Sequence, residues 1–172
     1  MDRQPILQDD SVILTPLRQD EFEELLLVAS DPLIWAQHPN PDRWKREVFS
    51  TYFDGALASG GAFMIRDTRH GAAIGSTRFY DHDADTGEVK IGYTFFSRSE
   101  WGNGTNQRVK RLMLDHAFQH VKQVIFHVGA QNMRSRIAMQ RLGAELIGEE
   151  EVAYFGELPK KNVVFRITAP GS

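Results

Sequence analysis

Gly102 and Gly104 flank a single asparagine in the run Phe95-Phe96-Ser97-Arg98-Ser99-Glu100-Trp101-Gly102-Asn103-Gly104-Thr105-Asn106, which joins a β-rich stretch to an amphipathic helical one. Glycine lets backbone N–H groups come close to an anion, and a helix N-terminus adds unpaired donors and the positive end of the helix dipole. The chemistry this suits is phosphate binding. The same residues also make an ordinary strand-to-helix turn, so the loop's place in the chain has to decide between the two.

Other chemistry is limited by what the chain contains. It has no cysteine, which removes disulfides, thiolate metal sites and a cysteine nucleophile. The acidic turn at residues 81–88 fails as a calcium loop, because Thr86 stands at the sixth position and Gly92 at the twelfth. His116, His120 and His127 have no metal-triad spacing, and no metal is expected. With 20 basic and 23 acidic residues and a formal net charge of −3, no global field draws the chain to nucleic acid or a membrane surface. Residues 1–10 lack an apolar signal core and no run is long enough to span a bilayer, so a cytoplasmic location is expected.

The elements that must position the loop follow from periodicity. Residues 12–17 alternate as a short edge strand. From Asp20 the spacing turns helical through Phe22, Leu25, Leu26 and Ala29, and Asp31-Pro32 ends that helix; residues 43–58 form a second, stopped by Gly60-Gly61. Residues 62–66, 73–80 and 88–96 read as an antiparallel meander with turns at 67–71 and 81–87. A helix over 105–119, a buried strand at 124–128, a helix over 132–142 and a closing hairpin of 145–155 with 162–168 complete the chain. The order β-α-α-β-β-β-α-β-α-β-β predicts one α/β domain spanning residues 1–172, with no linker or repeat.

This order, with Trp-Gly-x-Gly at its centre, Asn132-Met133-Arg134-Ser135 after it and then Arg141-Leu142-Gly143-Ala144, resembles the GCN5-related N-acetyltransferase superfamily, and within it the RimJ/RimL-like branch. The resemblance covers nearly the whole chain and is densest over residues 88–148. It implies a mixed, mostly antiparallel sheet of six or seven strands flanked by about four helices, with a splayed central strand pair that admits acetyl-CoA. By resemblance, Phe95 and Phe96 offer backbone groups to the pantetheine arm. Trp101, Gly102, Asn103, Gly104, Thr105 and Asn106 take the pyrophosphate, Asn132 contacts the arm from the other side, and Ser135 lies near the sulfur.

Direct transfer needs a neutral amine, a polarised carbonyl, an outlet for the amine proton and a proton for the leaving thiolate. Ser135 is the candidate proton donor, with bonding to its own helix as the alternative; Asn132 suits both a helix N-cap and a ligand. The alignment puts Tyr154 where relatives carry a glutamate base, and a phenol near pKa 10 is a poor base at neutral pH. Glu88 and water are the remaining proton acceptors. Trp35, His38 and Tyr80 are candidates to shape the acceptor pocket. Ser99, Lys90, Gln107 and Arg108 depart from the pattern of relatives.

The function expected is acetyl transfer from acetyl-CoA to a primary amine: a protein N-terminus, an amino acid, a polyamine or an amine-bearing small molecule. The alternative is a non-catalytic acyl-CoA-binding or regulatory module on the same fold. A general nucleotide binder fits poorly, since no Gly-Lys-Ser/Thr follows the loop. The apolar terminal hairpin, with Val163, Phe165 and Ile167, offers an interface for a homodimer.

Overall fold

Alternation along the strands sorts the apolar residues into two clusters, one on each face of an eight-stranded sheet. The computed structural model describes residues 1–154 and 156–172. Its strands are β1 (Leu7–Gln8), β2 (Val12–Pro16), β3 (Ala62–Asp67), β4 (Ala73–Asp83), β5 (Glu88–Phe96), β6 (Gln123–Gly129), β7 (Glu145–Val152) and β8 (Lys160–Thr168). The helices are α1 (Phe22–Ala29), α2 (Pro32–Trp35), α3 (Arg46–Ser59), α4 (Thr105–Ala117) and α5 (Met133–Arg141). Within β3, Phe63 and Ile65 join α4 and Met139 of α5 in one cluster, while Ala62 and Met64 join α1, α2 and α3 in the other. Helices α4 and α5 therefore cover one face and α1 to α3 the opposite one.

The sheet order is β1-β2-β3-β4-β5-β6-β8-β7. Every pairing is antiparallel except β5 with β6, which α4 connects. That parallel pairing is brief. Glu88, Val89 and Lys90 pair with Gln123, Val124 and Ile125, and beyond Lys90 and Ile125 the two strands part. On its other edge β5 stays on β4 through Phe95 and Phe96, with a register shift between Ser76 and Arg78. Tyr93 lies in the shifted stretch with φ 53°, a left-handed conformation that a bulky residue rarely adopts. The splayed strand pair is thus present.

The six or seven strands and about four helices expected become eight strands and five α-helices among the described residues. The two-residue β1 is too short to show a period. Asp31-Pro32, read as a stop, is also a start: Asp31 Oδ1 accepts the Leu33 N–H at 3.0 Å and Pro32 takes the first helical position of α2. Strand β4 runs on to Asp83 through a second register shift, past Asp81 at φ 48°, where a turn was expected. The expected 145–155 strand ends at Val152, and Phe155 lies outside the described residues. Val163 and Phe165 are buried in the chain's own core and Ile167 packs against it, so this apolar row is not a free interface.

Candidate active site

Where β5 and β6 diverge, their backbones leave a cavity of about 710 Å³. Its walls include Gly92 to Phe96 of β5 and Phe126 to Gly129 of β6. Gln107 and Lys110 of α4 and Asn132, Ser135 and Met139 around α5 line it from one face; Gln37, His38, Pro39 and Arg43, between α2 and α3, line it from the other. The cavity therefore passes through the sheet.

At the α4 end lies the glycine loop. Gly102 and Gly104 have φ of 76° and 87°, and Gly104 is the N-cap of α4, a conformation glycine adopts without Cβ strain. Trp101, Gly102, Gly104, Asn106 and Gln107 all line the cavity. Asn103 and Thr105 do not. Their side chains are spent on the loop itself: Thr105 Oγ1 bonds Glu100 Oε2 at 2.8 Å and Asn103 Oδ1 at 2.7 Å, while Asn103 Nδ2 donates to Glu100 Oε2 at 3.1 Å. Asn106 and Gln107 sit in the first turn, where backbone N–H groups have no intrahelical acceptor. Across the opening, the Arg134 guanidinium lies 3.6 Å from the Trp101 ring centroid and donates to Ile34 O at 3.2 Å.

Asn132 is 3 % exposed and accepts the Ser135 N–H on its Oδ1 at 3.3 Å, so it caps α5 while lining the cavity. Ser135 is half-buried beside it. Phe95 and Phe96 line the β5 wall, and the Phe95 ring is buried against Trp35. The structure thus gathers Ser135, Asn132, Phe95, Phe96 and the loop around one cavity.

The other predicted residues divide between places outside the cavity and its wall. Glu88 sits where β5 and β6 are still paired, accepts a hydrogen bond from Gln123 Nε2 at 2.8 Å and does not line the cavity. Trp35 is buried, donates its indole N–H to Ala29 O at 2.8 Å, and supports the wall from behind through His38 and Phe95. Tyr80 stands behind His127, with its hydroxyl 3.5 Å from Nδ1. Tyr154 lines the cavity, but its hydroxyl donates to Asn162 Oδ1 at 2.6 Å and burial raises its pKa, so it stays a neutral phenol. His38 is in the wall as expected, and burial, then the charges of Arg43 and Arg134, lower its pKa to about 3.

Among the lining residues that escaped the sequence reading are two buried cations. Arg43 is 3 % exposed; its guanidinium carbon lies 5.3 to 5.7 Å from the ring centroids of Tyr52, Tyr154 and Trp35, and Nε and Nη2 donate to Glu157 Oε1 at 3.0 and 2.7 Å. Lys110 is 2 % exposed, donates to Thr94 Oγ1 at 2.7 Å, and is lowered by burial to a pKa of about 7. The described residues contain no cluster of ligands able to hold a metal, and no helix among them is long and apolar enough to cross a membrane.

Comparison with known proteins agrees with this fold. A GCN5-related N-acetyltransferase from Brucella melitensis has the same fold at 19% identity and a TM-score of 0.79, over 96% of this chain and 79% of that one. The microcin C7 self-immunity acetyltransferase MccE, solved with acetyl-CoA and AMP, is similar at 13% identity and a TM-score of 0.76, over 94% of both chains. RimL, a ribosomal L7/L12 α-N-protein acetyltransferase solved with coenzyme A, is similar at 13% identity and a TM-score of 0.76, over 98% of this chain and all of that one. No curated protein matches the sequence. Residues 11–145 match the acetyltransferase (GNAT) domain, and the chain belongs to that family of acyltransferases.

Proposed function

We propose that this protein transfers the acetyl group of acetyl-CoA directly to a primary amine in the cytosol. The observation that carries this is the cavity through the sheet, entered on one face past a glycine loop and helix N-terminus and open on the other face beside Arg43 and His38. The loop and the first turn of α4 suit a pyrophosphate, which backbone donors hold with little rearrangement. The gap where β5 and β6 part beyond Lys90 and Ile125 suits a pantetheine arm, and Asn132 flanks the same gap.

In this reading the amine enters from the α3 face and attacks the thioester carbonyl within the gap; the carbon–sulfur bond breaks and an amide forms. Ser135 hands a proton to the departing sulfur. Its hydroxyl has no hydrogen-bond partner among the described residues, and its backbone N–H is the group used in capping α5. Glu88 stands outside the cavity, so the amine proton leaves through water. The positive charges of Arg43 and Arg134 favour the neutral, nucleophilic amine before attack.

Calorimetry with acetyl-CoA, followed by thiol release over a panel of amines, tests the reading. Ser135→Ala is expected to keep acetyl-CoA affinity and to lower kcat by about 100-fold. Tight binding with no thiol release from any amine would replace the transferase by a CoA-responsive module.

A further inference from the structure

The α3 end of the cavity is built around cations. Arg43 lines it, and Arg134 of α5 spans toward it from the Trp101 ring of the glycine loop to the Ile34 carbonyl of α2. Behind Tyr93 a third arginine, Arg78, is 3 % exposed with its guanidinium carbon 3.6 Å from the Tyr93 ring centroid. Against these three stands Glu157, which Arg43 holds. Glu150 is exposed, and its Oε2 lies 2.9 Å from His127 Nε2. Glu100 is the one carboxylate among the described lining residues, and it is bonded into the glycine loop at the other end. Burial first, and then the charges of Arg43 and Arg134, lower the His38 pKa, which places both guanidinium groups within electrostatic reach of this one wall residue.

Donors remain. Arg43 spends Nε and Nη2 on Glu157, and its Nη1 has no partner among the described residues. Arg134 spends Nη2 on Ile34 O and its backbone N–H on Gln37. A buried arginine flanked by three aromatic rings is costly to desolvate and suits a planar or tetrahedral oxyanion better than another cation.

We infer that the acceptor of this enzyme is an amine that also bears an oxyanion, a carboxylate or a phosphate, held by Arg43 and Arg134, and that polyamines are rejected. The inference rests on the transferase reading above and deepens it. A second ammonium group would meet Arg43 and Arg134 in a cavity whose described lining holds no carboxylate except Glu100 at the far end. Glu157, outside that lining, is held by Arg43 through Oε1 and keeps Oε2 without a partner among the described residues. An oxyanion on the same molecule places its amine beside these cations, where the neutral form is favoured.

The test is thiol release with matched acceptors: an α-amino acid against its carboxamide, an aminoalkyl phosphate against the corresponding amino alcohol, and spermidine. The carboxamide has the more acidic ammonium and holds more neutral amine near pH 7, so preference for the acid cannot come from basicity. At least one anionic member is expected to exceed its neutral partner by about ten-fold or more in kcat/KM, mainly through KM, as a charge-assisted hydrogen bond requires. Which pair shows the gap tells carboxylate from phosphate. Arg134→Gln, at a half-buried position, is expected to narrow the gap to about three-fold without loss of the folded state. Equal rates within both pairs, or spermidine as the best acceptor, would overturn the inference and leave the transferase reading standing. Absence of thiol release from every amine, with acetyl-CoA bound, would overturn both.

Discussion

The Tyr52 hydroxyl on α3 donates to the carbonyl of Tyr93 on β5 at 2.5 Å. Tyr93 is the residue held at φ 53°, within the shifted stretch of β5 that precedes Phe95. A non-glycine residue in that region stores about 1–3 kcal/mol, so the surroundings must over-determine it. Tyr52 does so through the hydroxyl, and the Arg78 guanidinium, over the Tyr93 ring and beside Tyr52, does so from the side. The distortion of β5 is therefore fixed from α3, across the face opposite the glycine loop.

Tyr52→Phe keeps the ring, with its stacking on Phe49, and removes the hydroxyl that makes this bond and that also interacts with Ser76 and Arg78. The expected cost is about 1–2 kcal/mol in urea unfolding. Acetyl-CoA affinity should fall several-fold in calorimetry, because the arm's groove begins where β5 is distorted. Loss of stability with unchanged affinity would show that Tyr93 does not shape the groove.

The acid side of the stability curve belongs in part to His38. Its folded pKa of about 3 lies below the ordinary 6.5, so the unfolded chain takes up the proton first as pH falls. Stability is then lost between about pH 6.5 and 3, with a steepest slope of roughly 1.4 kcal/mol per pH unit from this group. His38→Gln removes that contribution. Between pH 7 and pH 4.5 the wild type is expected to lose roughly 2–3 kcal/mol more than the variant in urea unfolding. Parallel losses in the two proteins would refute the assignment.

What the residues reveal by themselves divides along a physical line. The glycine loop, Asn132 and Ser135 were legible because their geometry is local: a turn, a helix start and a cap are encoded within four or five positions. Glu88 and Trp35 misled because strand and helix periods say which face a residue takes, not how far along the strand it lies or what stands in front of it. Arg43 read as the start of a helix that begins at Arg46, and its value comes from Glu157, 114 positions away. Nothing in a tyrosine announces a positive φ at position 93. Lys110 did leave a signal: within Arg108-Val109-Lys110-Arg111 it looks solvated, yet it lies three and four residues before the buried Met113 and Leu114.

That buried amine gives the third prediction. Lys110 reaches Thr94 Oγ1, and Thr94 also bonds Thr77 Oγ1 at 2.8 Å, so removing the lysine leaves Thr94 with a partner. Burial favours the neutral amine and lowers the pKa from 10.5 to about 7. Below pH 7 both folded and unfolded states carry the proton, and the cost of burying the charge is constant and full. Between pH 7 and 10.5 the folded state has released it while the unfolded state holds it, so the cost falls as pH rises. Lys110→Met, of similar length and no charge, is expected to be more stable than the wild type at pH 6.5, and to lose roughly 2–3 kcal/mol of that advantage by pH 9.5. A constant difference across this range would mean that the Lys110 amine is hydrated in solution, with water from the cavity reaching it beside Thr94.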